Sequence, residues 1–252
     1  MEAYKTFALV YDLFMNEVPY TKWVEYIEKI WEKFNCSPKL MAELGCGTGN
    51  LTTLFAKKGI DMIGIDISAD MLSIAREKAI ANNVDILYLL QDMQEFELYG
   101  TVDCIISLCD SLNYILDEEG LLNTFKWVNS YLNPKGLFIF DINTEYKYKY
   151  ILGDNIFAEN YEEASYIWDN FYDEEEAINE YCLTFFIKEE DTGLYKKYEE
   201  LHYEKMYSTD TITKLIENAG LELLAIYDAY TFELPKEDSE RIFFVAREKG
   251  KS

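Results

Sequence analysis

The sequence predicts an α/β fold, a doubly wound parallel sheet carrying an inserted antiparallel lid, and three observations predict it. Strand-like apolar runs alternate with helix-period stretches between residues 39 and 141. Gly45-Cys46-Gly47-Thr48-Gly49 forms a glycine-rich turn between the first such strand and its following helix. From about Thr144 to Met206 the helical period stops, and Tyr- and Glu-rich strands separated by acidic turns replace it.

In chain order, Tyr4 to Phe34 is helical in pattern. Trp23, Tyr26, Ile27, Ile30, Trp31 and Phe34 recur at three- and four-residue steps; Pro19 starts this helix and Asn35-Cys36-Ser37-Pro38 ends it. Lys39–Leu44 reads as a strand, Asn50–Lys58 as a helix, and Ile60–Ile65 as a second strand ending at Asp66. Ser68 is placed to cap a helix running to Asn82. Asp85–Leu90 and Val102–Leu108 are the next strands, the latter apolar enough to be buried on both faces. Glu118–Leu132 is a helix, Asn133-Pro134-Lys135-Gly136 a turn, and Leu137–Asp141 a fifth strand. In the lid, Tyr181–Ile187 and Lys196–Tyr203 read as strands, with turns at Asp173–Glu176 and Glu189–Gly193. Ser208 or Thr209 caps a last helix to Ala219, with Gly220 at its end. Leu221–Tyr230 and Arg241–Arg247 are the final strands, and pairing them as a hairpin places an antiparallel strand in the sheet.

Composition narrows the function. Hydrophobic residues make up 49% of 252, enough for a sizeable core. No apolar run approaches the roughly 18–20 residues of a membrane span. Met1-Glu2-Ala3-Tyr4-Lys5 lacks the basic start of a signal peptide, so a cytoplasmic location is expected. Five cysteines without CxxC spacing and a single histidine, His202, give a zinc site few ligands, and no metal is expected. The formal net charge of -24 repels polyanions, which argues against nucleic acid and anionic membranes. It fits a neutral, cationic or zwitterionic small molecule.

The glycine turn follows a strand and opens a helix, and Asp66 ends the next strand about 20 residues on, where an acid meets a nucleotide ribose. These features suit either a nicotinamide cofactor or S-adenosylmethionine. Three details favour the second. The glycines run Gly-x-Gly-x-Gly rather than in the dinucleotide spacing. Glu43 precedes them, poorly placed beside a diphosphate but tolerable beside an ammonium and a sulfonium. Gln91-Asp92-Met93 follows the third strand, where Asp92 can accept from an adenine amino group while Met93 packs on the ring.

Glu43–Asn50, Gly64-Ile65-Asp66, Gln91-Asp92-Met93 and Asn133–Asp141 together resemble the successive motifs of class I S-adenosylmethionine-dependent methyltransferases. The similarity covers about Leu40 to Asp141 and, weakly, the last helix and two strands. It implies a Rossmann-like seven-stranded sheet with the last strand antiparallel. It also implies a cofactor domain formed by 1–143 and 207–252, with 1–38 as a helical cap and 144–206 as an inserted acceptor lid. By the same resemblance Gly45 and Gly47 approach the methionine portion, and Glu43 supports the loop. Asp66 holds the ribose, Ile67 lies against adenine, Asp92 and Met93 flank it, and the backbone at Leu108 meets the methionine ammonium. The product is S-adenosylhomocysteine.

Phe7–Asp12 and Pro19–Trp23 resemble the N-terminal signature of a bacterial branch that acts on small molecules, similar to glycine and amino-sugar N-methyltransferases. That likeness implies cofactor contacts from Tyr11, Tyr20 and Trp23; for Trp23 a core position on the amphipathic helix is the alternative. Cys109–Tyr114 resembles the acceptor-side loop of the sugar enzymes, and it lacks the Asn/Asp-Pro-Pro-Tyr motif of many enzymes that methylate nucleic acid or protein. Asp110, Asn113 and Tyr114 are candidates to orient an acceptor amine or hydroxyl, and His202 to act as general base. Alternation along its strand puts His202 and Glu204 on one face and Leu201 and Tyr203 on the other. A protein or RNA methyltransferase, a non-catalytic cofactor-binding protein and a nicotinamide oxidoreductase remain rival readings; no hydride-relay pair supports the last.

Overall fold

The computed structural model describes residues 2–189 and 191–251, and their side chains apart from 2–6 and 9. The expected turn at Glu189–Gly193 therefore contains one residue, Glu190, outside the described residues.

The N-terminal helical stretch resolves into two helices, α1 (Glu2–Phe14) and α2 (Tyr20–Phe34), with Pro19 at the α2 N-cap. There its missing N–H is not needed. Strands and helices then alternate: β1 (Leu40–Leu44), α3 (Asn50–Lys57), β2 (Asp61–Asp66), α4 (Ala69–Ala81), β3 (Ile86–Leu90), β4 (Val102–Ser107), α5 (Glu118–Tyr131) and β5 (Leu132–Asn143). A separate group follows: β6 (Ile156–Asn160), β7 (Ala164–Asp173), β8 (Ile178–Lys188) and β9 (Tyr195–Lys205). Then come α6 (Thr209–Asn218), β10 (Leu221–Asp228) and β11 (Arg241–Glu248). The helix starts follow local chemistry. Ser68, Asp117 and Ser208 each accept from a backbone N–H in the first turn, at 3.2, 2.7 and 3.1 Å.

Seven strands form one sheet in the order β10-β11-β5-β4-β1-β2-β3. β11 runs antiparallel to both neighbours, β5 and β10. This is the seven-stranded sheet with its last strand antiparallel. Alternation on β5 shows why helices cover both faces. Phe138, Phe140 and Ile142 pack with Phe125 of α5 and Ile212 of α6, while Leu137 and Ile139 pack with Ile27 and Trp31 of α2 and Phe55 of α3. The expected turn at Asn133–Gly136 is corrected: it is a bulge inside β5. Val102 pairs with Leu132 and Cys104 with Leu137, so the intervening residues swell out of the ladder, with Lys135 at φ 66°. Glu248 accepts from the Lys135 N–H at 2.9 Å and holds the bulge.

The second sheet is antiparallel, in the order β6-β7-β8-β9. Its inner face packs on α1, where Val10, Ala164, Leu183 and Phe185 form one cluster. No helix among the described residues is long and apolar enough to cross a membrane.

Candidate active site

A cavity of about 550 Å³ opens at the carboxyl ends of β1, β2 and β4, with α1 and the second sheet over it. That is where doubly wound sheets place ligands.

The first half is built by the glycine turn. Gly45, Gly47 and Gly49 all have positive φ, 68, 52 and 72°. A Cβ on Gly45 would stand 2.7 Å from Ser111, so the turn presses directly on the segment after β4. A Cβ on Gly47 would meet no protein atom within 4 Å, and Gly47 lines the cavity. The space a side chain would take there is open to a ligand. Asp66 ties the turn to α4: its carboxylate accepts from Gly47 N at 2.7 Å and Ser68 N at 2.8 Å. Burial raises its pKa against those backbone hydrogen bonds. Glu43 is 3% exposed and accepts from the Thr52 hydroxyl. Burial pushes its carboxyl up to about 8; the Thr52 hydrogen bond opposes this and the Asp66 charge adds to it.

Ile67 lines the cavity with 72% of its surface exposed, an apolar platform at its wall. Asp92 and Met93 also line it; Asp92 accepts from Gln94 N at 2.9 Å. The Leu108 carbonyl accepts from Ser111 Oγ at 2.7 Å and keeps a second lone pair for a ligand. From above, Tyr11 of α1 and Tyr20 of α2 reach the same space. Trp23 does not, and its expected cofactor contact is corrected. The turn of α2 carries Trp23 into the core, where its ring lies 5.3 Å from Tyr230 and 6.2 Å from Phe243, with the Arg241 guanidinium 5.3 Å above it.

Aromatic rings build the second half. Tyr181 of β8 stacks on His202 of β9 at 4.8 Å and 8°, Tyr114 meets His202 edge-on at 6.0 Å, and Trp168 of β7 lies 5.3 Å from Tyr181. Tyr114 and Tyr181 share a hydrogen bond between their hydroxyls. His202 faces the cavity, with Nε2 3.2 Å from the buried Glu200 carboxylate. Alternation along β9 is as expected: His202 and Glu204 are buried, Leu201 and Tyr203 exposed.

Asp110 lies between the halves in a left-handed conformation, φ 54°. It accepts from Arg241 at 2.6 Å and Asn143 at 3.0 Å, while its own N–H donates to Asp141 at 3.0 Å. Arg241 also pairs with Asp141. Burial works to raise the Asp110 carboxyl, but Arg241 and Lys147 outweigh it and hold the group below the usual carboxylate range. Asp110 is thus a fixed anion, a weak proton acceptor.

Sequence reading missed Arg241, Asp141, Lys147 and Glu204 as parts of this site, and it missed Asp12. Asp12 accepts from Thr48 Oγ1 at 2.7 Å and Asn50 Nδ2 at 3.0 Å and pairs with Lys78 at 2.7 Å, which fastens α1 over the glycine turn. The one available signal was the alternation that set Glu204 beside His202. Among the described residues, no group of three or more His, Cys, Asp or Glu is placed to hold a metal ion.

Residues 41–136 match a family model described as a methyltransferase domain. A protein of Geobacillus sp. (strain WCH70), named as a methyltransferase, is 39% identical over 245 residues, which cover 97% of this chain and 99% of the relative. The crystal structure of an S-adenosylmethionine-dependent methyltransferase from Clostridium acetobutylicum ATCC 824 superposes with a TM-score of 0.87 at 31% identity, covering 98% of this chain and 99% of that one. CalS10, an amino pentose methyltransferase from Micromonospora echinaspora solved with S-adenosylmethionine bound, superposes at 0.73 with 13% identity, covering 92% and 93%. At that identity the likeness speaks for the fold alone.

Proposed function

Since this chain belongs to the class I S-adenosylmethionine-dependent methyltransferases, we propose that it methylates a small molecule held beneath the second sheet. One observation carries this reading. A single cavity joins the glycine turn, where the cofactor binds in this family, to the aromatic face of the second sheet. Its volume of about 550 Å³ lies within the range of small-molecule sites, about 300–1,000 Å³.

The residues present fit S-adenosylmethionine. Gly47 leaves room at the turn, the half-buried Asp66 carboxylate suits a cationic ligand rather than a diphosphate, and Ile67 and Met93 offer apolar surface to a purine. When bound, the cofactor supplies a methyl group already activated on a sulfonium. The protein's work is then positioning and exclusion of water. Asp66 and the turn fix one partner; Tyr114, Tyr181 and His202 wall the other. Well-oriented pairs gain up to roughly 7–11 kcal/mol from positioning alone. On this reading 144–206 is the acceptor subdomain, and α1 with α2 is the cap.

Calorimetric titration with S-adenosylmethionine, S-adenosylhomocysteine and NADH, with Asp66→Ala alongside, tests the cofactor half. Micromolar binding of the first two, lost in the variant, is expected. Incubation with methyl-labelled cofactor and a fractionated cell extract tests the acceptor half. Label in the small-molecule ultrafiltrate is expected; label confined to protein or RNA overturns the reading.

A further inference from the structure

Among the described residues, Glu204 is the one buried carboxylate in the cavity wall that the methyl-transfer reading leaves without a role. It is 4% exposed, stands on the same face of β9 as His202, and lines the cavity. The Tyr148 hydroxyl and Asn143 Nδ2 both donate to its Oε2, at 2.8 and 3.4 Å. Oε1 takes neither bond and is left for a cavity ligand.

The surrounding charges do not balance. Asp110, Asp141 and Glu204 are three acids; Arg241 and Lys147 are the cations set against them. Arg241 is engaged by Asp110 and Asp141. Lys147 donates to Asn143 Oδ1 at 2.9 Å, and burial together with the Arg241 charge pulls it toward neutrality. With Glu204 ionised, the cluster lacks one positive charge. Burial and the nearby Asp110 charge push Glu204 up to about 7; the Tyr148 hydrogen bond, Lys147 and Arg241 oppose this. The group can therefore take up and release a proton near neutral pH. Tyr181, Tyr114, Trp168 and His202 complete the same half of the cavity, and ring faces attract cations. A ring-walled space with one available carboxylate oxygen recognises an ammonium ion better than an alcohol or an anion.

We propose that the methyl acceptor is a primary or secondary amine that enters as its ammonium ion and gives its proton to Glu204 Oε1. This rests on the methyl-transfer reading above. The freed lone pair forms the N–C bond while the C–S bond breaks, its electrons remaining on sulfur. The product leaves as a methylated ammonium ion, and Glu204 returns its proton to solvent. Arg241 positions the site: with Lys147 it holds Asp110 ionised, and the Asp110 charge raises the Glu204 proton affinity against the direct pull of both cations.

The test uses the full chain saturated with S-adenosylhomocysteine. A series of primary amines, from methylamine through benzylamine to glucosamine, is titrated by calorimetry, each against its matching alcohol or sugar. We expect at least one amine to bind roughly tenfold or more tightly than its neutral match, as a charge-assisted hydrogen bond provides. The advantage should vanish in Glu204→Gln and return in part in Glu204→Asp. In buffers of different ionisation enthalpy, the wild type should take up or release protons on amine binding and Glu204→Gln should not. Equal affinity for amines and their matches, an amine preference that survives Glu204→Gln, or no amine binding at all overturns the proposal. Unchanged S-adenosylhomocysteine affinity in the variants shows that they are folded. If the wild type itself binds no S-adenosylhomocysteine, the methyl-transfer reading has failed instead.

Discussion

Glu43 is a carboxylate that burial keeps from ionising until about pH 8. Its ordinary pKa is about 4.3, so between those values the folded protein holds a proton that the unfolded chain releases. The stability this contributes is complete below the lower value and is lost as pH rises through the upper one, by on the order of a few kcal/mol. Asp66, Asp141 and Glu204, raised by the same burial, act in the same direction. The ligand-free protein should therefore melt at a lower temperature at about pH 8.5 than at about pH 6, and Glu43→Gln should shrink that difference. Scanning calorimetry of both proteins decides it; equal pH slopes would refute the assignment. The glycine turn and Asp66 were legible in the sequence because a short contiguous stretch encodes each. The Asp110–Arg241 pair was not: 131 residues separate its members, and no local period marks a contact across such a distance. Glu204 reaches Asn143 across 61 residues and stayed hidden for the same reason.

Among elements, α1 has the most consequence for function. It spans both sheets, with Phe7 and Val10 against Phe185 and its cluster, and with Asp12 fastened to the start of α3 and to Lys78 of α4. Phe7, Tyr11 and Phe14 line the cavity from it, so lifting α1 would widen the path by which ligands exchange. The Asp12–Lys78 pair is partly exposed, and such pairs contribute about 0–1 kcal/mol to stability. Asp12→Ala should thus leave the melting temperature nearly unchanged yet speed release of S-adenosylhomocysteine several-fold, as stopped-flow fluorescence would report. A slower or unchanged release rate would mean that α1 does not gate the site. The helices and core strands were readable because their apolar faces keep a 3.6 or 2.0 period. β6 was not, because Ile156–Asn160 is a largely exposed edge strand with no buried face to produce alternation. The bulge in β5 misled as a turn because Asn-Pro-Lys-Gly chemistry is the same whether the chain reverses or only swells outward.

At the scale of the whole molecule, the net charge of -24 sets two salt effects of opposite sign. Self-repulsion among 47 acids and 23 bases opposes compaction, and salt screens it. The screening length falls from about 30 Å at 0.01 M to about 10 Å at 0.1 M, enough to uncouple most surface charges. Added sodium chloride should therefore raise the melting temperature. The same field attracts cations into the cavity, where Asp66 and the ionised form of Glu204 add to it. S-adenosylmethionine carries one positive charge more than S-adenosylhomocysteine, so salt should weaken its binding more. Titrating both ligands at low and moderate salt isolates this term, because the two differ by one methyl group and its charge. A Kd ratio that moves toward the neutral ligand as salt rises, alongside a rising melting temperature, is the expected pair of results. If salt shifted both ligands equally, the field would act only on folding, and selection of a cationic acceptor would rest on the contacts of Glu204 and the surrounding rings alone.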